Sequence, residues 1–197
     1  MGFAQCLVAI TVGVAGPAVL FAGPATTADP DSPGGSVGGS QLSGPGVNLS
    51  VTIPTGWHQI PDQVHPQLLQ MAYPDNCTEK LKCTSAVAGM LSTQASNAQT
   101  AAQTGEQTIA GQPGIQGATV TSEGPTQIAG RSGYQVRFAF STAKAKFQAE
   151  TVAVETGPAA SGMVPTSLIF VTVSDLAGAP PASVIDQIVS SAQLAAR

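Results

Sequence analysis

The sequence predicts an α+β fold, a central antiparallel sheet flanked by helices. Three observations point there. Apolar residues alternate with polar ones at a period of two over several separate segments, as in half-buried strands. Two other segments carry apolar or small residues at helical spacing. Residues 168–173 are apolar on both parities, as in a strand at the middle of a sheet covered on each face. The 197 residues, with 22 Gly and 15 Pro, suit one domain plus an appendage and exclude a long bundle or coiled coil.

Residues 1–28 contain no charged side chain, and residues 6–21 are nearly continuously apolar. Small residues then lead to Ala28, so the segment reads as a secretory signal peptide, with an uncleaved membrane anchor as the alternative. The first basic residue is Lys80, so the usual positive start of such a signal is missing. Cys6 stands at the start of the apolar stretch and not at its end, which gives no support to lipidation. Residues 29–46, rich in Gly, Ser and Pro, read as a disordered tether, and residues 47–197 as a single α+β domain. Beyond the signal only Cys77 and Cys83 remain, and an even pair in an exported chain reads as a disulfide. Closing so small a loop adds about 2 kcal/mol on the chain-entropy model.

Residues 47–53 alternate as a strand with Val47, Leu49, Val51 and Ile53 on one face, and Pro54-Thr55-Gly56-Trp57 turns the chain. Asp62 is placed to cap a short helix bearing Val64, Leu68, Leu69 and Ala72, ended by Pro74. Residues 85–93 form a second strand. Ser96 begins a helix whose shallow face is Ala98, Ala101, Ala102, Gly105 and Ile109, stopped at Gly111-Gln112-Pro113-Gly114. Residues 118–123 and 126–129 read as two short strands around Gly124-Pro125. Residues 134–141 put Tyr134, Val136, Phe138 and Phe140 on one face. In residues 146–155 the apolar parity switches between Ala149 and Val152, which predicts a bulge or strong twist. Pro181 opens a last helix with Val184, Ile185, Ile188, Val189, Ala192 and Leu194 buried.

This order resembles the LpqN/LpqT-type exported proteins of mycobacteria, within the PsbP-like α/β/α sandwich group. The resemblance spans residues 47–194. It rests on the early strand with Pro54-Thr55-Gly56-Trp57, the Ala-rich helix near 96–109, the strand meander and the closing helix. It implies an exported, envelope-associated fold without established catalytic machinery. Many members are lipoproteins, a point on which this chain departs because no Cys follows its apolar segment.

Chemistry-bearing patterns are sparse. His58, Asp62 and His65 could form a metal or acid–base site, although no H-x₃-H or H-E-x-x-H spacing supports it; an exposed loop and helix start is the plainer reading. Ser132 lies outside a G-x-S-x-G frame and reads as a turn residue. The turn at 111–117 lacks the Lys-Ser/Thr of a phosphate loop. Glu123, Glu150 and Glu155 are scattered carboxylates that read as solvated strand positions.

Arg137, Lys144 and Lys146 gather on one hairpin, and with Val136 and Phe138 inward they face outward, a small basic patch suited to anionic headgroups or glycans or mere solubilising decoration. Trp57 is either a core plug or a contact residue. The net charge of −4 argues against a nucleic-acid partner. The leading expectation is a non-enzymatic, secreted or cell-envelope binding protein with no cofactor and no bound metal. Its partner would be an envelope lipid, glycan or protein, with membrane proximity. The alternatives are a lipid or small-molecule carrier with a cavity under the helix near 98–109, and a metal-dependent hydrolase using His58, Asp62 and His65.

Overall fold

The computed structural model describes residues 40–60, 67–76 and 84–195. The expected signal peptide, residues 29–39 of the expected tether, Asp62 and His65, and the Cys77–Cys83 pair lie outside the described residues. In chain order the elements are β1 (Gln41–Leu42), β2 (Leu49–Thr52), β3 (His58–Ile60), β4 (Leu69–Tyr73), β5 (Ala86–Ala95), α1 (Ala98–Ala110), β6 (Gln116–Ile128), β7 (Arg131–Ser141), β8 (Lys146–Glu155), β9 (Val164–Ser174), α2 (Val184–Ser190) and β10 (Gln193–Leu194). Among the described residues, seven strands form one sheet in the order β3-β4-β5-β9-β8-β7-β6, and β1-β2-β10 form a separate ribbon. Every pairing is antiparallel.

Each face of the large sheet has its own core. On one face α1 lays Ala98, Ala101, Ala102, Gly105 and Ile109 against the sheet, the face read from the sequence. Phe138, Phe140, Ala149, Ala153, Leu168 and Phe170 meet it from below. Its small residues permit close approach: a Cβ on Gly105 would lie 2.9 Å from Leu168 Cδ2. Thr151 Oγ1 also donates to the Ala102 carbonyl at 2.9 Å. The small side chains therefore serve contact at the helix centre instead of opening a cavity there. Asn97, one residue after Ser96, caps the helix: its Oδ1 accepts the Thr100 N–H at 2.8 Å. On the other face, α2 and the β1-β2-β10 ribbon bury Leu42, Leu49, Val51, Ile185 and Ile188 against Met71, Met90, Val152, Ile169 and Val171.

Several expectations need correction. The folded part starts before residue 47. Leu42 is fully buried and pairs with Val51, and Ser40 accepts the Ile53 N–H at 2.7 Å, so the 46/47 boundary is too late. Residues 69–73 are strand, not helix. Leu69, Met71 and Ala72 are all buried, and a strand covered on both faces loses its period of two. Of the bulge or strong twist expected in β8, the bulge is absent. Its register runs unbroken against β7 and β9, and the parity switch arises because both faces are covered. The irregularities fall instead in β6, between the pairs of Gln116 and Thr119 and between those of Val120 and Ser122. Residues 118–123 and 126–128 belong to this one long strand, with Ala129 in the turn that follows; Pro125 is tolerated because β6 lies at a sheet edge. After α2 the chain turns into β10, where Leu194 is 39% exposed and not part of the core.

Gly89 shows how tightly the first core is fitted. It opposes Phe170 on β9, and a Cβ there would come 2.4 Å from Phe170 Cζ and 2.7 Å from the Leu69 carbonyl oxygen. The ring could rotate away, but the carbonyl belongs to a paired strand. Gly89→Ala is expected to cost about 1–2 kcal/mol, read as a lower urea midpoint with an unchanged m-value.

Candidate functional site

Alternation along β7 sends Val136, Phe138 and Phe140 toward α1 and Arg137 to the opposite face. Register then places Glu150 of β8 directly across from Arg137. That face is roofed by α2, whose stripe Val184, Ile185, Ile188 and Val189 points down and leaves Asp186 at its edge. The three side chains meet there. Arg137 Nε stands 3.0 Å from Glu150 Oε2, and Arg137 Nη2 donates to Asp186 Oδ1.

Exposure sets their roles. The Glu150 side chain is 0% exposed, Arg137 40% and Asp186 62%, so one carboxylate is buried beneath a half-open guanidinium that reaches up to a surface carboxylate. Among the described residues neither Glu150 oxygen has a well-formed hydrogen bond; Oε2 has Arg137 Nε at 3.0 Å, and Oε1 has no hydrogen-bond partner. Burial pushes the Glu150 carboxyl above the ordinary carboxylate range; the Arg137 charge works against this and the Asp186 charge adds to it. The hydrogen bond that Arg137 donates to Asp186 is the largest influence holding its guanidinium above its usual value.

A groove follows this cluster along α2. Its middle is a cleft of about 550 Å³ whose walls include Arg137, Gln148, Glu150, Ser183, Ile185 and Asp186. A second lobe of about 340 Å³ shares Arg137, Glu150 and Asp186 and extends to Gln135 and Ser190. A third, of about 430 Å³, shares Gln148 and Ala182 and extends to Lys146 and Asp175. A volume of this size holds a small ligand or part of a larger one.

The residues singled out from sequence are distributed as follows. Arg137 faces away from Val136 and Phe138 as expected, but that face is roofed, and two carboxylates take up its charge. Lys144 lies exposed in the β7–β8 turn, where its N–H donates to Thr142 Oγ1 at 3.2 Å. Lys146 opposes Ser141, four positions from the Arg137–Glu150 pair, about 13 Å along the strand. The three cations therefore do not form one free basic patch.

Trp57 is a core residue and not an exposed contact. It is 6% exposed, packs in the ribbon-side core, and its ring lies 6.0 Å from that of Tyr73. His58 opposes Ala72 on β3. Among the described residues no three His, Cys, Asp or Glu side chains are grouped to hold a metal.

Glu123, Glu150 and Glu155 do not converge. Glu155 Oε1 accepts the Ala98 N–H at the start of α1 at 3.2 Å, and Glu123 accepts from Gln103 of α1 at 3.1 Å. Burial, with the Glu123 charge second, raises the Glu106 carboxyl beside it. Both Glu123 and Glu155 thus serve α1, on the far side of the sheet from Glu150. Sequence reading missed Asp186 and the burial of Glu150. The available signal was a single charge in β8 between Ala149 and the run from Thr151 to Val154.

With the geometry in place, the fold can be set beside known structures. Cyanobacterial PsbP (CyanoP) from Synechocystis sp. PCC 6803 superposes with a TM-score of 0.52 at 13% identity, over 84% of this chain and 98% of that one. The chain has a PsbP-like fold. The Saccharomyces cerevisiae Ran-binding protein Mog1p gives 0.50 at 10% identity, over 72% and 79%. LpqN of Mycobacterium tuberculosis, described as involved in cell envelope biogenesis, gives 0.49 at 12% identity, over 80% and 90%. No protein-family model and no curated protein matches the sequence. At these identities the likeness is one of fold, and it agrees with the α+β sandwich expected from sequence. On this PsbP-like frame the groove lies between α2 and the β7–β8 pair.

Proposed function

We propose that the protein is an exported, envelope-associated binding protein without catalytic activity, and that it takes its ligand in the α2 groove. The observation that carries this reading is Glu150, a fully buried carboxylate with one oxygen lacking a donor among the described residues, set in the wall of a cleft of about 550 Å³. A buried polar group without a partner is costly, and such groups persist where a site needs them. The charge-free apolar segment over residues 1–28 and the even cysteine pair support export. The LpqN/LpqT-type resemblance in sequence order supports the envelope.

Carriage of a small molecule is a second reading of the same groove, favoured by the three contiguous lobes along α2. The groove, not the closely packed underside of α1, is then where cargo would sit.

Photo-crosslinking in producing cells tests both. A crosslinking side chain at exposed Gln148, on the groove, is expected to capture envelope lipid, glycan or protein identifiable by mass spectrometry. The same group at exposed Gln107 on α1 is expected to capture none of it. Equal capture at both positions, or none at Gln148, overturns the reading.

A further inference from the structure

The groove also carries information about its ligand. Its middle holds two carboxylates, Glu150 and Asp186, against one guanidinium, Arg137. Arg137 places Nε beside one Glu150 oxygen and Nη2 on one Asp186 oxygen. Glu150 Oε1 is left as an acceptor without a donor among the described residues. Lys146 belongs to the next lobe, where Asp175 accompanies it. Fully ionised, the cluster is one positive charge short, and its buried member, Glu150, is the least screened by solvent. Around it the apolar residues on this face are Ala139, Ala182 and Ile185.

Resting on the groove being the binding site, we propose that it binds an organic cation of the alkylammonium class. The ammonium donates to Glu150 Oε1, and the alkyl part lies along Ile185. Arg137, anchored at its outer end to Asp186, is the side chain that shifts to admit the ammonium. An ammonium supplies the missing charge and three donors from a compact head. An anion of similar size would instead meet two carboxylates for one guanidinium.

The cluster makes binding proton-linked. The titratable or charged groups facing Glu150 are Arg137 from β7 and Asp186 from α2. Burial raises the Glu150 carboxyl, and a bound cation favours its ionised form. Affinity is therefore expected to rise as pH increases through that raised value, with release of a proton on binding.

The test is an amide NMR titration of the full chain with three probes of matched length, butylammonium, butan-1-ol and butyrate, each to about 20 mM, enough to saturate a site with a Kd near 1 mM. Butylammonium is expected to shift amides of Arg137, Glu150 and α2, with little response to the other two. Glu150→Gln keeps the shape and removes the charge, and is expected to weaken that response about tenfold or more. A response to butyrate equal to or above that to butylammonium, a butylammonium response unchanged in Glu150→Gln, or no response in the native chain overturns the proposal. If butylammonium fails while Gln148 still captures envelope material and Gln107 does not, the ligand class falls and the groove stands. Failure of that crosslinking removes the groove as well.

Discussion

Arg137→Met is expected to destabilise the fold by about 2–3 kcal/mol at neutral pH, and the loss is expected to disappear in acid. Methionine preserves much of the side-chain volume but leaves Glu150 with no cation, buried at 0% exposure. Removing one partner of a buried ion pair costs about 3–5 kcal/mol when both groups are enclosed. Here Arg137 is 40% exposed, which brings the expectation to or below the lower end of that range.

Protonation sets a ceiling. Keeping a carboxyl of ordinary pKa neutral at pH 7 costs about 3.7 kcal/mol, from about 2.7 units at 1.36 kcal/mol each. The native protein already carries part of that cost, because burial raises Glu150 with Arg137 in place. The sign follows. A carboxyl whose folded pKa is raised contributes stability that is full below its unfolded pKa and is lost as pH rises through the folded value. Removing Arg137 raises the folded value further. The variant should therefore match the native protein below the ordinary carboxylate range and diverge as pH increases. Urea midpoints from acid to neutral pH measure this. Glu150→Gln in the Arg137→Met background is expected to recover most of the loss. A deficit independent of pH would show that the lost packing of the Arg137 stem, not charge, dominates.

Phe170→Ala is expected to cost about 3–5 kcal/mol. The ring is 1% exposed in β9, a central strand hydrogen-bonded to both β5 and β8, and it lies in the core beneath α1. The space it leaves cannot collapse easily. Ala102 and Gly105 of α1 already approach as closely as their side chains allow, with Gly105 directly over Leu168. Its partner Gly89 makes the loss separable. In Gly89→Ala, Phe170→Ala the new methyl occupies part of the vacated space, so the double variant is expected to be less unstable than the sum of the singles. A double-mutant cycle by denaturant unfolding measures this coupling.

The same details explain how far the sequence could be read. The α1 face was legible residue by residue because small side chains at helical spacing on an otherwise polar segment leave one solution. The strands β7 and β9 were legible from alternation and from double-sided apolarity. Residues 69–73 were not, because Leu68, Leu69 and Ala72 satisfy a helical spacing and a doubly buried strand alike. Leu42 was hidden by composition: a single apolar residue among Gly, Ser and Pro gives no periodic signal, yet the ribbon buries it fully.

The candidate site was legible in part. Alternation places Arg137 and Glu150 on one face, and hairpin register makes them partners. The third member, Asp186, lies 49 residues from Arg137, and no local pattern announces that α2 will cross that face. Arg137, read from the hairpin alone as part of a basic patch, is thus neutralised when a helix arrives with a carboxylate.

The small ribbon has a mechanical consequence. Ser40 enters beside Ile53, at one end of β2, while Ala195 leaves beside Asn48, at the other. A chain tethered through its amino end and tugged from its carboxyl end is therefore loaded along the strand axis. The hydrogen bonds flanking β2 must then yield together, not peel apart singly.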